Sequence, residues 1–306
     1  MRVFIEFMPC LGDFVTELPV LHALHERIRP LEVEVSVDRP SAGLLEDYDW
    51  IGRIHVRTGR PESRVSPITS SLGRPFDLLL WLRSNPAIKL TRMLVRARRK
   101  LGAEAYDDAA SARGVVPHRY SILRRILGDD LPGIVTRVAL KPERTRDALA
   151  AVGLREGARI LCLGPGAGTP RRMWPVERFA ELARSLRPEF DGAVVLGSPA
   201  EAPLCDALAA RAGAIRMTGQ PLCLVAALLA RSSLYIGNDS GLAHLAAAQG
   251  CPAVSIGLAD PYYTPWHGYG VPGALSDLTT PDVLAFLQER ELVPAASTRV
   301  MATPPA

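Results

Sequence analysis

The sequence predicts an α/β protein built of two Rossmann-like domains that face each other across a cleft. Its 306 residues suffice for two domains, since a domain takes about 100–200 residues. Strand-like and helix-like segments alternate in two separate series, as in parallel sheets covered by helices. Hydrophobic residues make up 48% of the chain and charged residues 22%, which excludes disorder along the whole chain. We place the domains at 1–148 and 156–292, with a disordered tail at 294–306 that is rich in Pro, Ala, Ser and Thr.

The first series of elements begins at the amino terminus. A short apolar run over 2–8 predicts a strand, and apolar spacing of three and four from 14 to 28 predicts a helix that Pro30 ends. The other predicted elements of this half are strands at 32–37, 51–56 and 76–82 and helices at 89–101 and 120–127. The stretch 57–74 is rich in Gly, Pro, Ser and Arg and predicts a loop.

The second series begins near residue 158 and follows the same alternation. Strands are predicted at 159–163, 193–196, 233–236 and 253–256. Helices are predicted at 175–186, 200–210, 222–230, 241–249 and 281–291. Because ligands of an open parallel sheet bind beyond the carboxyl ends of its strands, the turns that follow these strands are the candidate sites.

Charge is distributed unevenly along the chain. The formal net charge is +4, from 36 Lys and Arg against 32 Asp and Glu, and so small an excess argues against nucleic acid as a partner. Residues 1–150 carry +5 (24 basic, 19 acidic) and residues 151–306 carry −1 (12 basic, 13 acidic). An anionic partner is therefore expected to meet the first half.

Cysteine usage and hydropathy bear on the compartment. The five cysteines are odd in number and contain no C-x-x-C pair, which indicates reduced thiols of a cytosolic protein. No apolar run approaches the ~18 residues of a membrane span, and the amino terminus is typical of a strand rather than of a signal peptide. We expect a cytoplasmic protein, with contact to the inner-membrane surface left open.

The first candidate turn is Gly12-Asp13, after the first predicted strand. Glycine permits a tight turn, and a carboxylate at a helix start is favoured by about 0.3–1 kcal/mol. Asp13 is therefore either a helix cap or a general base at the mouth of the cleft. A carboxyl group that acts as a base needs burial or a neighbouring carboxylate to raise its pKa.

The second candidate turn runs from Gly164 to Pro175. Its glycines allow the backbone to approach a ligand closely, and the planar guanidinium groups of two successive arginines suit phosphate oxygens. The spacing matches neither a P-loop nor G-x-G-x-x-G, and the alternative is a solvated basic loop. The candidate phosphate contacts are Gly168, Thr169, Arg171 and Arg172.

The third candidate turn lies between Gly237 and His244. Free backbone amides at a helix start form an anion site, and the side chain of His244 leans back towards that start. The alternatives are a packed core histidine and a simple cap by Asp239. The candidate diphosphate contacts are Asp239, Ser240, Gly241, Leu242 and His244. A phosphate cradle in one half and a base in the other are the layout of a group-transfer enzyme.

These turns resemble those of glycosyltransferase family 9, the heptosyltransferases. The resemblance also includes Arg172-Met173-Trp174-Pro175 and Gly219-Gln220, and its most specific part is the run from Gly237 to Ala248. It implies a GT-B fold, with an acceptor-binding domain followed by a donor-binding domain. It also implies inverting transfer of a sugar from a nucleotide diphosphate without a metal, typically from ADP-heptose to a lipopolysaccharide core.

The resemblance assigns roles to single residues. Asp13 would deprotonate the acceptor hydroxyl, and Arg172, where the family usually has lysine, would bind donor phosphate together with the 239–244 turn. Met217, Gly219 and Gln220 are candidate contacts to the donor nucleotide.

Acceptor contacts are expected in the first half of the chain. Gly12 is one candidate. The stretch 89–100 has no acidic residue and predicts either a solvated helix face or a platform for a phosphorylated acceptor or an anionic membrane. Its candidate contacts are Lys89, Arg92, Arg96, Arg98 and Arg99.

Partners and alternatives follow from this reading. We expect a nucleotide-sugar donor, a glycan or glycolipid acceptor, no cofactor and no metal, since the sequence has no H-x-E, H-E-x-x-H or Asp-x-Asp cluster. The alternatives are a nucleotide-sugar binding protein without catalysis, a GT-B nucleotide-sugar 2-epimerase, and a dinucleotide-dependent oxidoreductase.

Overall fold

The computed structural model describes residues 1–29, 31–58, 60, 63, 65–82, 89, 92–258 and 260–294. In these residues the strands form two parallel sheets, which confirms the predicted α/β fold with two Rossmann-like halves. The predicted tail at 294–306 lies outside the described residues apart from Pro294, as does the helix stop at Pro30.

The first sheet contains the strands β1 (Arg2–Glu6), β2 (Glu32–Asp38), β3 (Ile51–Arg57), β4 (Phe76–Trp81) and β5 (Ala97–Gly102). Their order is β3-β2-β1-β4-β5, and every pairing is parallel. The central strand β1 is buried along its whole length. Because β2 and β4 lie on opposite sides of β1, the switch point of this sheet is the crevice between β1 and β4.

The second sheet contains the strands β6 (Ile160–Gly164), β7 (Gly192–Gly197), β8 (Ile215–Thr218), β9 (Leu234–Asn238), β10 (Ala253–Ile256) and β11 (Tyr269–Val271). Their parallel order is β11-β10-β9-β6-β7-β8. Its switch point lies between β6 and β9, and both of these strands are fully buried. The three candidate turns follow β1, β6 and β9, so each lies at a switch point.

Helices connect the strands of both sheets. The first half contains α1 (Leu11–Arg27), α2 (Arg39–Ala42), α3 (Val65–Gly73), α4 (Val115–Tyr120) and α5 (Arg124–Leu127). They are followed by α6 (Pro142–Ala151), α7 (Val176–Leu186), α8 (Ala202–Ala212), α9 (Leu222–Leu229), α10 (Gly241–Ala248) and α11 (Thr280–Glu289). Helix α6 lies at the predicted domain boundary and packs against α9 of the second half.

The predicted helix at 89–101 is wrong over its second part, because residues 97–102 form the edge strand β5. Its register on β4 is regular, with Ala97 opposite Phe76 and Arg99 opposite Leu78. An edge strand carries charged residues along its open side, and this charge hid the strand. The edge strands β8 and β11 also fall where no strand is predicted.

The predicted loop at 57–74 is wrong over 65–73, which form α3. Ile68 of this helix packs on an apolar cluster of the sheet, whereas Val65 and Leu72 are exposed, and polar contacts add to the packing. Buried Glu34 accepts hydrogen bonds from Ser70 (2.8 Å), His55 (2.7 Å) and Arg2 (2.6 Å). The Nδ1 atom of His55 lies 2.9 Å from the hydroxyl of Ser66 on α3.

Candidate active site

A cavity of about 2040 Å3 lies between the two halves of the molecule, where the carboxyl ends of both sheets meet. Residues of both halves line it, so the cleft that the sequence predicts is present. The predicted site residues that line it are Gly12, Asp13, Gly168, Arg171, Arg172, Gly219, Gln220, Asp239, Ser240, Gly241, Leu242 and His244. Thr169 follows the lining residue Gly168, and the buried Met217 lies two positions before the lining residue Gly219.

Asp13 faces the cleft from the first turn of α1, and its carboxylate is 16% exposed. It does not cap the helix, because the cap position is Cys10. Its Oδ1 instead accepts a hydrogen bond from the guanidinium of Arg119, which comes from α4. The same guanidinium donates to the backbone carbonyl of Asp13 (2.9 Å) and to the hydroxyl of Thr16 (2.6 Å). Arg119 therefore fixes both the backbone and the side chain of Asp13.

A second carboxylate lies one turn further along α1. Glu17 is fully buried, accepts the backbone N–H of Met8 (3.1 Å) and lies 3.3 Å from Arg119. Burial raises the pKa of Glu17 to about 7, although Arg119 opposes the shift. Neither Glu17 nor Arg119 was singled out from the sequence. The spacing of Asp13 and Glu17 was the available signal. Two carboxylates four residues apart on a helix repel each other, and a nearby cation offsets this repulsion.

On the opposite side of the cavity, Arg172 forms an ion pair with Asp239, so two of the predicted phosphate turns are in direct contact. Arg172 is half exposed and Asp239 is one-fifth exposed. Both side chains are therefore within reach of a ligand. Asp239 does not cap α10, because the cap position is Ser240.

Asn238 connects the same two turns, and the sequence analysis assigned it no role. It is fully buried, its Oδ1 accepts the backbone N–H of Trp174 (2.9 Å), and its Nδ2 donates to the carbonyl of Pro165 (2.6 Å). The indole of Trp174 donates to the carbonyl of Leu278 (2.9 Å). The side-chain amide of Asn238 thus holds the backbone at Pro165, before Arg172, and at Trp174, after it.

The glycines of these turns are explained mostly by packing. A Cβ atom at Gly164 or Gly237 would lie 2.0 or 2.4 Å from the hydroxyl oxygen of Tyr235. A Cβ at Gly166 would lie 1.8 Å from Oε1 of Glu201, a cavity-lining carboxylate that no sequence motif singles out. Around Gly168 the space is open. Close approach to a ligand therefore remains an explanation for Gly168 alone of these four.

His244 lies in the second turn of α10 and is 9% exposed. Burial lowers its pKa to about 4, so the imidazole is neutral at neutral pH. A Cβ atom on Gly12 would lie 3.1 Å from Cδ2 of His244, and one on Gly241 would lie 2.8 Å from the backbone nitrogen of Gly12. The starts of α1 and α10 therefore touch through two glycines, with Asp13 and His244 beside the contact.

The basic stretch predicted as an acceptor platform does not line the cavity. Arg98 pairs with Asp77 (3.3 Å), Arg96 donates to the carbonyl of Leu72 (3.0 Å), and Arg99 donates to the carbonyl of Arg125. Arg92 stacks on Trp81 at 4.1 Å, and Lys89 is exposed. Arg96 and Arg98 lie near the amino ends of β4 and β5, opposite to the cleft.

Two further features concern the cleft and its ligands. The hydroxyl of Tyr262 in the second half lies 2.8 Å from Nδ1 of His118 in the first half, so the halves are bridged beside the cavity. Among the described residues, no group of three His, Cys, Asp or Glu side chains is placed to hold a metal ion. In the same residues, no helix combines the length and hydropathy needed to cross a membrane.

Comparison with known proteins supports the resemblance to glycosyltransferase family 9. The sequence model of glycosyltransferase family 9 (heptosyltransferase) matches residues 95–276, more than half of the chain. Lipooligosaccharide heptosyltransferase 2 of Haemophilus influenzae is 28% identical over 153 residues, which cover 45% of this chain and 43% of that protein. The match thus spans less than half the length of this curated relative.

Solved structures share the fold over almost the whole chain. The glycosyl transferase family 9 protein of Veillonella parvula superposes with a TM-score of 0.81 at 20% identity, covering 96% of this chain and 98% of that one. ADP-heptose LPS heptosyltransferase II of E. coli gives a TM-score of 0.72 at 19% identity, with 95% and 100% covered. E. coli heptosyltransferase WaaC with ADP gives 0.77 at 18%, with 95% and 98% covered. These likenesses confirm the GT-B fold, and with the match over 95–276 they place the chain in glycosyltransferase family 9, the heptosyltransferases.

Proposed function

We propose that this chain is an inverting, metal-independent glycosyltransferase that moves heptose from ADP-heptose onto a hydroxyl of a glycan acceptor such as lipopolysaccharide core. The observation that carries the proposal is the position of Asp13 across one cavity from the ion pair of Arg172 and Asp239. The names of the relatives support the donor and the acceptor class, because they describe heptosyltransferases of lipooligosaccharide and lipopolysaccharide.

Asp13 acts as the general base in this proposal. As the acceptor oxygen bonds to the anomeric carbon, its proton passes to a carboxylate oxygen of Asp13 and the bond from that carbon to the diphosphate breaks. Attack from the face opposite to the leaving group inverts the anomeric centre. Arg119 holds Asp13 by two contacts, one to the side chain and one to the backbone, and so fixes the carboxylate at the wall of the cavity.

The leaving diphosphate is stabilised by groups of the second half. Negative charge builds up on its oxygens in the transition state, where fixed donors are worth most. The backbone amides of Gly241 and Leu242 at the start of α10 supply such donors, as does the guanidinium of Arg172. Binding requires Arg172 to share its guanidinium between Asp239 and the phosphate. A protein that supplies these charges needs no cation at the diphosphate.

The remaining roles are proposals of the same kind. Thr169 and Arg171 contact the diphosphate, and Met217, Gly219 and Gln220 contact the nucleotide. On the acceptor side, Gly12 lies beside the base, and the exposed cations of 89–100 serve for contact with the inner-membrane surface. The protein would act in the cytoplasm, where nucleotide sugars are available.

The test separates donor binding from turnover. We expect Asp13→Asn to lower the rate of heptose transfer by about 100-fold or more, the contribution of a general base, while ADP still raises the melting temperature. The matched control is Asp129→Asn, which changes an exposed aspartate. Assays with EDTA and with Mg²⁺ test metal independence, and a rate that EDTA abolishes contradicts that part of the proposal.

Other outcomes favour the alternatives. ADP binding without any turnover by the unmodified protein indicates a binding protein. Interconversion of the donor sugar without transfer indicates an epimerase, and a melting shift with NADH alone indicates an oxidoreductase. A preference for UDP, GDP or dTDP keeps the transferase but rejects the heptose donor.

A further inference from the structure

His244 separates the large cavity from a second, much smaller one. Its side chain lines both, and the second has a volume of about 10 Å3, which is the space for one water molecule. The Cδ2 edge of the imidazole faces Gly12. Because Nδ1 lies on the opposite edge of the ring, it points away from Gly12.

Two buried polar atoms belong to residues that line this small cavity and have no hydrogen-bond partner among the described protein atoms. They are Nδ1 of His244 and the indole Nε1 of Trp266. The other lining residues are Val15, Thr16, Val116, Thr136 and Ala248. Buried polar atoms in folded proteins are almost always hydrogen-bonded, to protein or to ordered water. One water bound in this cavity would give both atoms a hydrogen-bond partner.

We propose that one water molecule binds between Trp266 and His244 and that Trp266 thereby fixes the tautomer of the histidine. An indole N–H can only donate, so the water accepts there and keeps two hydrogens to donate; in the proposed arrangement one of them goes to Nδ1 of His244. A neutral imidazole that accepts at Nδ1 carries its proton on Nε2. Trp266 is then a positioning residue that acts on His244 through the water.

The chosen tautomer matters for the proposed transfer reaction, on which this part of the inference rests. With the proton on Nε2, the ring donates a hydrogen bond to an oxygen of the leaving diphosphate. The other tautomer would present a lone pair to that anion and would repel it. Burial supports the argument, because it keeps the imidazole neutral and so makes the tautomer the deciding factor.

The experiment observes the tautomer directly in the substrate-free protein. Long-range ¹H–¹⁵N correlation of protein labelled at its histidines distinguishes Nδ1–H from Nε2–H, and the spectrum of His244→Gln assigns the signals. We expect the unmodified protein at pH 7 to show His244 with the proton on Nε2. In Trp266→Phe the signal of the Nδ1–H form of His244 should appear. The control is Trp50→Phe, which changes a tryptophan stacked on His25 and should leave the tautomer of His244 unchanged.

Kinetics and crystallography complete the test. Trp266→Phe should lower kcat for transfer by about 10- to 100-fold, as expected for a lost hydrogen bond to a charged group, with a smaller change in the donor KM. A crystal structure should show one water bonded to both nitrogens.

An Nδ1–H form in the unmodified protein overturns the inference, and so does an unchanged tautomer in folded Trp266→Phe. Because the spectrum of the unmodified protein needs no substrate and no Trp266 variant, an Nδ1–H signal overturns the inference even where Trp266→Phe misfolds. An absence of transfer activity would count against the proposed function and leave the tautomer result standing.

Discussion

Replacing the buried Glu17 by glutamine should remove most of the pH dependence of stability that this residue causes. The pKa of Glu17 is raised to about 7 in the folded protein from an ordinary value of 4.5. A carboxyl group with a raised pKa favours the folded state below pH 4.5, and that contribution is lost as the pH rises through 7. At about 1.4 kcal/mol per pKa unit, Glu17 should make the unmodified protein about 2.5 kcal/mol less stable at pH 8 than at pH 5.

Glutamine is neutral at both pH values and can still accept the N–H of Met8. Glu17→Gln should therefore flatten the difference between pH 5 and pH 8 and raise the free energy of unfolding at pH 8 by about 3 kcal/mol. Urea denaturation at the two pH values measures both quantities. Glu26→Gln changes an exposed glutamate of the same helix and is the control.

The result that refutes this reasoning is a Glu17→Gln protein that is less stable than the unmodified one at pH 8. In that case the attraction between Glu17 and Arg119, rather than the cost of burial, dominates the ionisation. An equal pH dependence in both proteins would show that Glu17 titrates near its ordinary pKa.

Three further predictions concern the two candidate phosphate turns, 164–175 and 237–244. Asn238→Ala leaves the N–H of Trp174 and the carbonyl of Pro165 without their partner and should lower the free energy of unfolding by about 2–5 kcal/mol, measured by urea denaturation. Gly164→Ala places a Cβ 2.0 Å from the hydroxyl of Tyr235 and should lower the melting temperature; adding Tyr235→Phe should restore part of the loss, and an unchanged melting temperature contradicts this packing. Because the pKa of His244 is lowered to about 4, ADP affinity measured by calorimetry should show no step that depends on His244 between pH 6 and 8. A step near pH 6.5 that His244→Gln removes would contradict this.

Much of the fold could be predicted from the sequence, because the signals of its central elements are local. The buried strands β1, β6 and β9 are short apolar runs, and glycine-rich turns follow each of them. The topology rule for parallel sheets then places those turns together at the cleft. The edge strand β5 and helix α3 could not be found this way, since β5 carries arginines on an open edge and α3 is rich in serines, of which Ser66 bonds to His55 and Ser70 to Glu34.

The parts of the site that were missed depend on tertiary contacts. Arg119 is separated from Asp13 by 106 positions and meets it only because α4 packs on α1. Asn238 stands within the third candidate turn, but its role follows from the contacts that its amide makes with Trp174 and Pro165. Asp13 and Arg172 could be singled out because each stands in a recognisable turn, whereas residues that support them carry no pattern of their own.

The contact between Gly12 and Gly241 bears on how proteins of this architecture can diversify. The backbone nitrogen of Gly12 lies close to Gly241 there, with the side chains of Leu11 and His244 beside it, so a side chain on Gly241 would push the start of α1 away from the start of α10. In the proposed reaction the acceptor binds to the first half, so substitutions away from Gly12 would change the acceptor site while the two glycines keep the spacing between the helix starts. Under the proposed function, the choice of acceptor and the distance across the reaction site would then be set by different residues, and the first could change during evolution without the second.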